Sequence, residues 1–245
     1  MPHQFDGLTA IVTGSTTGIG YAIARALLDR GARVLCNSRS SDWEGPDLTT
    51  QYDDAAYLRA DVTVPGEAAD LARAAVERWG RVDILVNNAG VTRQIAHDDL
   101  ASATDEVWTA MLQGNVLGAW HMVQECAPLM QQQGGGSIIN ITSIAGVEPR
   151  GSSIPYAAMK ASLNHTTKLL AKALAPTVRV NAVAPGFIDT RWTARWPQAR
   201  EGAAARSLLG RTGTPQDVAQ ACLALLGQDY VTGTVVPVDG GAHLA

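Results

Sequence analysis

Thr13-Gly14-Ser15-Thr16-Thr17-Gly18-Ile19-Gly20 joins a β-type run, Thr9–Thr13, to a helical pattern that begins at Ile19 and continues to Asp29. Three glycines at a strand-to-helix junction let the backbone turn sharply and approach a ligand that side chains would keep away. The free amides of the helix start then face an anion, and a pyrophosphate is the anion such turns hold. The spacing is Gly-x-x-x-Gly-x-Gly rather than the more familiar Gly-x-Gly-x-x-Gly. Its place near the start of a βα unit sets the expectation for the rest of the chain.

Working outward, short apolar runs at 33–37, 56–60, 83–87, 137–142, 179–183 and 235–238 read as strands, with helical patterns between them at 66–79, 105–132, 155–173 and 216–226. Strands apolar on both faces, alternating with helices, predict a single α/β Rossmann domain over residues 1–245, doubly wound around a seven-stranded parallel sheet. Pro155 and Pro215 suit first helical turns, where a missing amide has no partner to lose. The polar stretch Ser38–Asp54 leaves room only for a stunted helix or a loop, and Phe187–Gly210 reads as a helical flap after the sixth strand.

The composition excludes several classes. The chain has 245 residues, 46 % apolar, with 19 basic and 23 acidic side chains and a net charge of −4, which gives no basic surface for nucleic acid. No apolar run approaches the roughly 18 residues needed to cross a bilayer, and the N-terminus has no basic segment leading into an apolar core. Cys36, Cys126 and Cys222 are too far apart for a metal clip and too few for a disulfide framework, so they read as buried apolar residues in a reducing, cytoplasmic protein without a bound metal.

The second strand ends in Asn37-Ser38-Arg39. An acid there would bond ribose hydroxyls, whereas a guanidinium accepts a 2′-phosphate, so NADP(H) is expected over NAD(H), with Asp42 and Glu44 near enough to reach back. Further on, Tyr156 and Lys160 stand four apart on a predicted helix, about one turn from each other. A tyrosine titrates near pH ~10, and an ammonium beside it favours the phenolate, which suits the pair to proton transfer. Ser143 closes the fifth strand at the carboxyl edge of the sheet, where a hydroxyl can hold a substrate oxygen. No Gly-x-Ser-x-Gly elbow supports a hydrolase.

Taken in order, Thr13–Gly20, Asp61-Val62, Asn87-Asn88-Ala89-Gly90, Asn115, Ser143, Tyr156 with Lys160, Pro185-Gly186 and Val238-Asp239-Gly240-Gly241 resemble the short-chain dehydrogenase/reductases of the compact, non-extended branch along the whole chain. Similarity to 3-oxoacyl-carrier-protein reductases shows at 87–93 and 210–218. The resemblance implies a catalytic set of Asn115, Ser143, Tyr156 and Lys160, with Asn115 bending its helix and holding a water that links the lysine to solvent. It also implies a cofactor site built from Gly14, Ser15, Thr17, Gly18, Ile19, Gly20, Ser38, Arg39, Asp61, Val62, Asn88, Ala89, Gly90, Tyr156, Lys160, Pro185, Gly186, Ile188 and Thr190. In this picture Asp61 and the backbone of Val62 hold the adenine, Lys160 the nicotinamide ribose, Ile188 the carboxamide and Thr190 the pyrophosphate.

The reaction so implied is hydride transfer between NADP(H) and a carbonyl or secondary alcohol of a small molecule, with Tyr156 as acid or base. An NAD(H)-dependent alcohol or sugar dehydrogenase, an isomerase or dehydratase using the nicotinamide transiently, and a protein that only senses NADP(H) are the competing readings. Phe187, Trp192 and Trp196 in the flap stand beside Arg191 and Arg195, fitting an apolar or an anionic substrate equally, while Glu148 and Arg150 either rim the pocket or are solvated. Members of the family assemble as dimers or tetramers, and the apolar faces of 105–132 and 155–173 agree with a homo-oligomer.

Overall fold

A computed structural model describes residues 4–245. Its strands are β1 (Thr9–Val12), β2 (Arg33–Ser38), β3 (Ala55–Arg59), β4 (Ile84–Asn87), β5 (Gly136–Ile141), β6 (Val178–Pro185) and β7 (Val235–Val238). All pair in parallel, in the order β3-β2-β1-β4-β5-β6-β7. The order reverses between β1 and β4, and the crevice outside their carboxyl ends is where a doubly wound sheet takes its ligand.

Alternate strand residues feed opposite faces, which explains why the strands are apolar throughout. Ala10, Val12, Val34 and Cys36 join Ile23 and Leu27 of α1 (Gly18–Leu28) and Leu223 of α8 (Pro215–Leu226) in one core. Ile11, Leu35 and Leu85 point the other way, toward Leu71 of α3 (Pro65–Trp79) and Met122 and Met130 of α5 (Gly118–Gln132). The cysteines are free and buried. No helix among the described residues is long and apolar enough to cross a membrane.

The stretch after β2 does hold only a stunted helix, the single turn α2 (Leu48–Gln51). In contrast, the continuous helix expected at 105–132 is interrupted. α4 (Asp105–Leu112) passes into a wide π turn at Gln113–Leu117 before α5 resumes. Asn115 Nδ2 donates to the Val91 carbonyl at 2.9 Å and to the Met111 carbonyl at 3.0 Å, so a side chain ties the turn to the loop after β4 and takes a backbone acceptor inside the helix. Helix α6 (Ile154–Leu174) starts with Ser153 as its cap, accepting from the Tyr156 amide, and carries Pro155 in its first turn. The flap after β6 holds a short 3₁₀ turn at Thr193–Arg195 and α7 (Pro197–Arg206), which buries none of its residues.

A Cβ on Gly20 would lie 2.3 Å from the Gly14 carbonyl oxygen, inside a backbone contact that cannot yield, whereas one on Gly66 in α3 would meet nothing within 4 Å. Gly20→Ala is therefore expected to cost about 1–3 kcal/mol, lowering the thermal midpoint by several degrees. Gly66→Ala should leave the midpoint unchanged or raise it slightly. Thermal unfolding of the two variants side by side checks the difference in sign.

Candidate active site

The carboxyl ends of β1 and β4 are stitched together before any ligand arrives. Thr13 Oγ1 accepts from the amides of Asn88 and Ala89, both at 3.0 Å, while Asn88 Nδ2 donates to the carbonyls of Thr13 and Gly14 at 2.9 and 3.0 Å. Gly14 and Gly18 take φ values of +62° and +55°, a region that favours glycine. Ser15 lies inside the wall, its Oγ accepting from the Asn37 amide at 2.8 Å, and Gly20 packs under Gly14. These two residues shape the turn from behind rather than facing the groove. Thr17, at the head of α1, makes no side-chain cap, which suits that end to an outside anion.

From this turn a cavity of about 530 Å³ runs along the carboxyl edge of the sheet. At one end it is lined by Ser38, Arg39, Asp61 and Val62, and in the middle by Gly14, Thr17, Gly18, Ile19, Asn88, Ala89 and Gly90. Ser143, Tyr156, Lys160, Pro185, Gly186, Ile188 and Thr190 line the far half. Arg39 is exposed, its guanidinium 3.9 Å from Asp61 Oδ2, so it stands over the groove as a cation on a flexible stem. Asp61 spends its other oxygen on the amide and hydroxyl of Thr63, at 2.9 and 2.8 Å. Thr190 brings the flap onto the turn, its methyl 3.2 Å from where a Gly18 Cβ would stand.

Ser143 leaves β5 in extended backbone, and its Oγ accepts from the Ala145 amide at 3.1 Å as the chain enters a 3₁₀ turn at Ile144–Gly146. Gly146 presses on the backbone of α6, where a Cβ would come within 2.5 Å of the Lys160 carbonyl carbon, and Asn164 Nδ2 holds the Gly146 carbonyl at 3.0 Å. This contact fixes the serine beside the tyrosine, close enough for its hydroxyl to oppose the rise of the Tyr156 phenol. Asn164 escaped the sequence reading because an asparagine nearly three turns into a helix carries no signal of what crosses it. So did the buried chain Asn87–Asn140–Thr167, with links of 3.0 and 2.9 Å across the sheet beneath α6.

Lys160 Nζ donates to the Ile141 carbonyl at 3.0 Å and stands 5.7 Å from the centre of the Tyr156 ring. The expectation that the ammonium lowers the tyrosine is not met in this geometry. Burial pushes the Tyr156 phenol up, with the Ser143 hydrogen bond opposing it, and burial brings the Lys160 ammonium down to about 8. Desolvation is the largest cause for both groups, and the lysine is committed to the Ile141 carbonyl rather than to the phenol. Asn115 does not touch the lysine. Its Oδ1 lies 2.9 Å from the position of a Gly90 Cβ, and Lys160 Nζ lies 3.5 Å from the same point, so the two flank the space that Gly90 leaves open.

Around the far half, Phe187, Arg191, Trp192 and Trp196 of the flap face the cavity, whereas Arg195 does not. Arg150 rims it too, donating to the Ala242 carbonyl at 3.3 Å with Glu148 at 4.0 Å. Among the described residues no group of histidines, cysteines and acids is placed to hold a metal.

The family model for enoyl-(acyl carrier protein) reductase matches residues 14–243. A granaticin polyketide synthase putative ketoacyl reductase 2 from Streptomyces violaceoruber is 48 % identical over 238 residues, 96 % of each chain. The 3-oxoacyl-[acyl-carrier-protein] reductase FabG of Thermotoga maritima is 37 % identical, over 97 % of this chain and 98 % of that one. Among solved structures, ElxO with NADP bound superimposes with a TM-score of 0.89 at 28 % identity, over 97 % and 99 % of the two chains, and gox2181 with 0.89 at 31 %, over 98 % and 97 %. With motifs, topology and relatives in agreement over nearly its full length, the chain belongs to the short-chain dehydrogenase/reductase family of oxidoreductases.

Proposed function

We propose that this protein is an NADP(H)-dependent ketoreductase that reduces the 3-oxo group of an acyl thioester to a secondary alcohol. The observation that carries the reading is the Ser143–Tyr156–Lys160 set, with Lys160 buried and the two hydroxyls half-buried, at one end of a groove whose other end presents Arg39 and whose middle is a glycine turn at the start of α1. The glycines fit a dinucleotide, because Gly14 and Gly18 leave the groove floor bare for a diphosphate while Gly20, packed on the Gly14 carbonyl, lets the turn close behind it. Arg39 supplies a cation for a 2′-phosphate and the β2 end supplies no acid, and ElxO, similar over nearly its whole length, has been solved with NADP. The acyl thioester follows from the names of relatives such as the Thermotoga and Streptomyces enzymes, with Phe187, Trp192 and Trp196 of the flap lining the cavity as apolar surface for an acyl chain.

When bound, the cofactor exchanges a hydride with the carbonyl carbon. The chain's own residues manage the oxygen. Ser143 donates to it and fixes its position, while Tyr156, kept a neutral phenol by burial, hands over the proton that the reduced oxygen needs. A raised phenol suits the reducing direction, since the acid form persists across neutral pH. Lys160 holds its charge close to the phenol and to the ribose side of the groove. Asn115 positions the π turn beside Gly90, where a water would join the lysine to solvent.

A homotetramer in the cytoplasm completes the reading. Trp108 and Leu112 on α4, Trp120 on α5 and Leu169 on α6 are exposed on the helices that would pack between subunits.

Tyr156→Phe should reduce kcat for acetoacetyl thioester by at least about a hundredfold with NADPH affinity nearly unchanged, as measured by NADPH absorbance and calorimetry. Because the Lys160 ammonium is lost near pH 8, kcat/KM for reduction should fall as pH rises through that value. The same shift has the opposite sign for stability: between pH 8 and about 10 the unfolded lysine still binds the proton that the folded one has released. The wild type should therefore gain stability relative to Lys160→Met over that interval in urea titrations. Light scattering should give a mass about four times the 25.8 kDa of one chain; a monomer at micromolar concentration would contradict the assembly.

A further inference from the structure

One anion already sits on the phosphate turn. After β2 the chain crosses the carboxyl edge of the sheet, and the Glu44 carboxylate accepts a hydrogen bond from the amide of Gly18, the first residue of α1. One of its oxygens is 4.0 Å from where a Gly18 Cβ would stand, on the spot that the Thr190 methyl also approaches. The backbone carrying it is pinned independently of the side chain. The Glu44 amide donates to the Thr16 carbonyl at 2.9 Å, and the Tyr21 hydroxyl donates to the Pro46 carbonyl at 3.0 Å. Trp43 packs against Tyr21 and Tyr57, with ring centres 6.2 and 5.8 Å apart. Among the described residues no cation pairs with Glu44, and the nearby Arg39 faces Asp61 instead.

A helix N-terminus favours a negative charge, and this one has no side-chain cap of its own. A carboxylate at its first amide satisfies that end when the groove is empty. A dinucleotide diphosphate brought to the same end meets either a carboxylate that must swing away or a like charge left beside it, and both weaken binding.

We propose that Glu44 is an affinity-setting residue, an internal anion that competes with the cofactor's diphosphate for the Gly18 end of the turn. This rests on the cofactor reading given above. Because the diphosphate is common to both nicotinamide dinucleotides, the competition acts on NADPH and NADH alike; a carboxylate facing the 2′-phosphate would act on NADPH alone.

The test is calorimetric titration of wild type, Glu44→Gln and Glu44→Ala with NADPH and with NADH, at low and at high salt, with circular dichroism as the folding control. Both variants should bind both dinucleotides about three- to tenfold more tightly than wild type at low salt. The advantage should shrink at high salt, as screening weakens the charge that was removed. Unchanged affinities in folded variants would overturn the proposal. Weaker NADH binding would overturn it by making Glu44 a partner of the ribose hydroxyls, and tightening of NADPH alone would overturn it by placing the charge at the 2′-phosphate. Failure of the wild type to bind either dinucleotide is a separate outcome, which would overturn the cofactor reading and this proposal with it.

Discussion

The molecule depends on how the ends of β1 and β4 are joined. A parallel sheet that reverses its winding between two neighbours must open a crevice there, and the strand ends on either side would otherwise expose unpaired carbonyls and amides. Asn88 and Thr13 close that account reciprocally, each giving side-chain bonds to the other's backbone. The glycine turn can then be shaped for a ligand, because its own backbone is held from below. Had these bonds been missing, the turn's positive-φ glycines would leave it free to adopt many conformations, and a ligand would have to order it.

A second fixed relation builds the chemistry. Ser143 and Tyr156 come from separate elements, so their hydroxyls meet only if the loop after β5 lies at one height on α6. Gly146 sets that height by backbone contact and Asn164 by a hydrogen bond, while the Asn87–Asn140–Thr167 chain ties α6 to the strands beneath. Desolvation at this end of the groove raises the Tyr156 phenol and loosens the buried lysine's hold on its proton. Both effects come from excluding water rather than from a special pairing.

Much of this could be read in the chain itself. All seven strands lie within a residue or two of their expected limits because their signal, apolar on both faces, is the signal of a covered parallel sheet. That Tyr156 and Lys160 stand one turn apart on a helix was legible from their spacing, and the stunted α2 from the polar stretch after β2. What could not be read was anything that depends on a partner far away in sequence. The bend at Asn115 was implied by the resemblance, but its form, a π turn at Gln113–Leu117 with Asn115 bonded to Val91, is a contact that a periodic apolar pattern does not register. Ser15 and Gly20 belong to the motif yet face inward, since a motif gives residue types and not directions. The direction of the tyrosine's titration was missed because spacing reports the neighbouring charge and says nothing of how much water surrounds it.

The flap is hung on the domain through few attachments. Asp189 holds Arg200 with two bonds of 2.8 Å and Thr212 with another of 2.8 Å, Ile188 bridges Gly213, and α7 between these anchors contributes nothing to either core. Residues there can change in size or polarity without leaving a void in the packed interior. The region that covers the substrate end is thus uncoupled from the energetics of folding, so a descendant of this chain can explore new substrates by drift in α7 while the sheet, the turn and the tyrosine remain as they are.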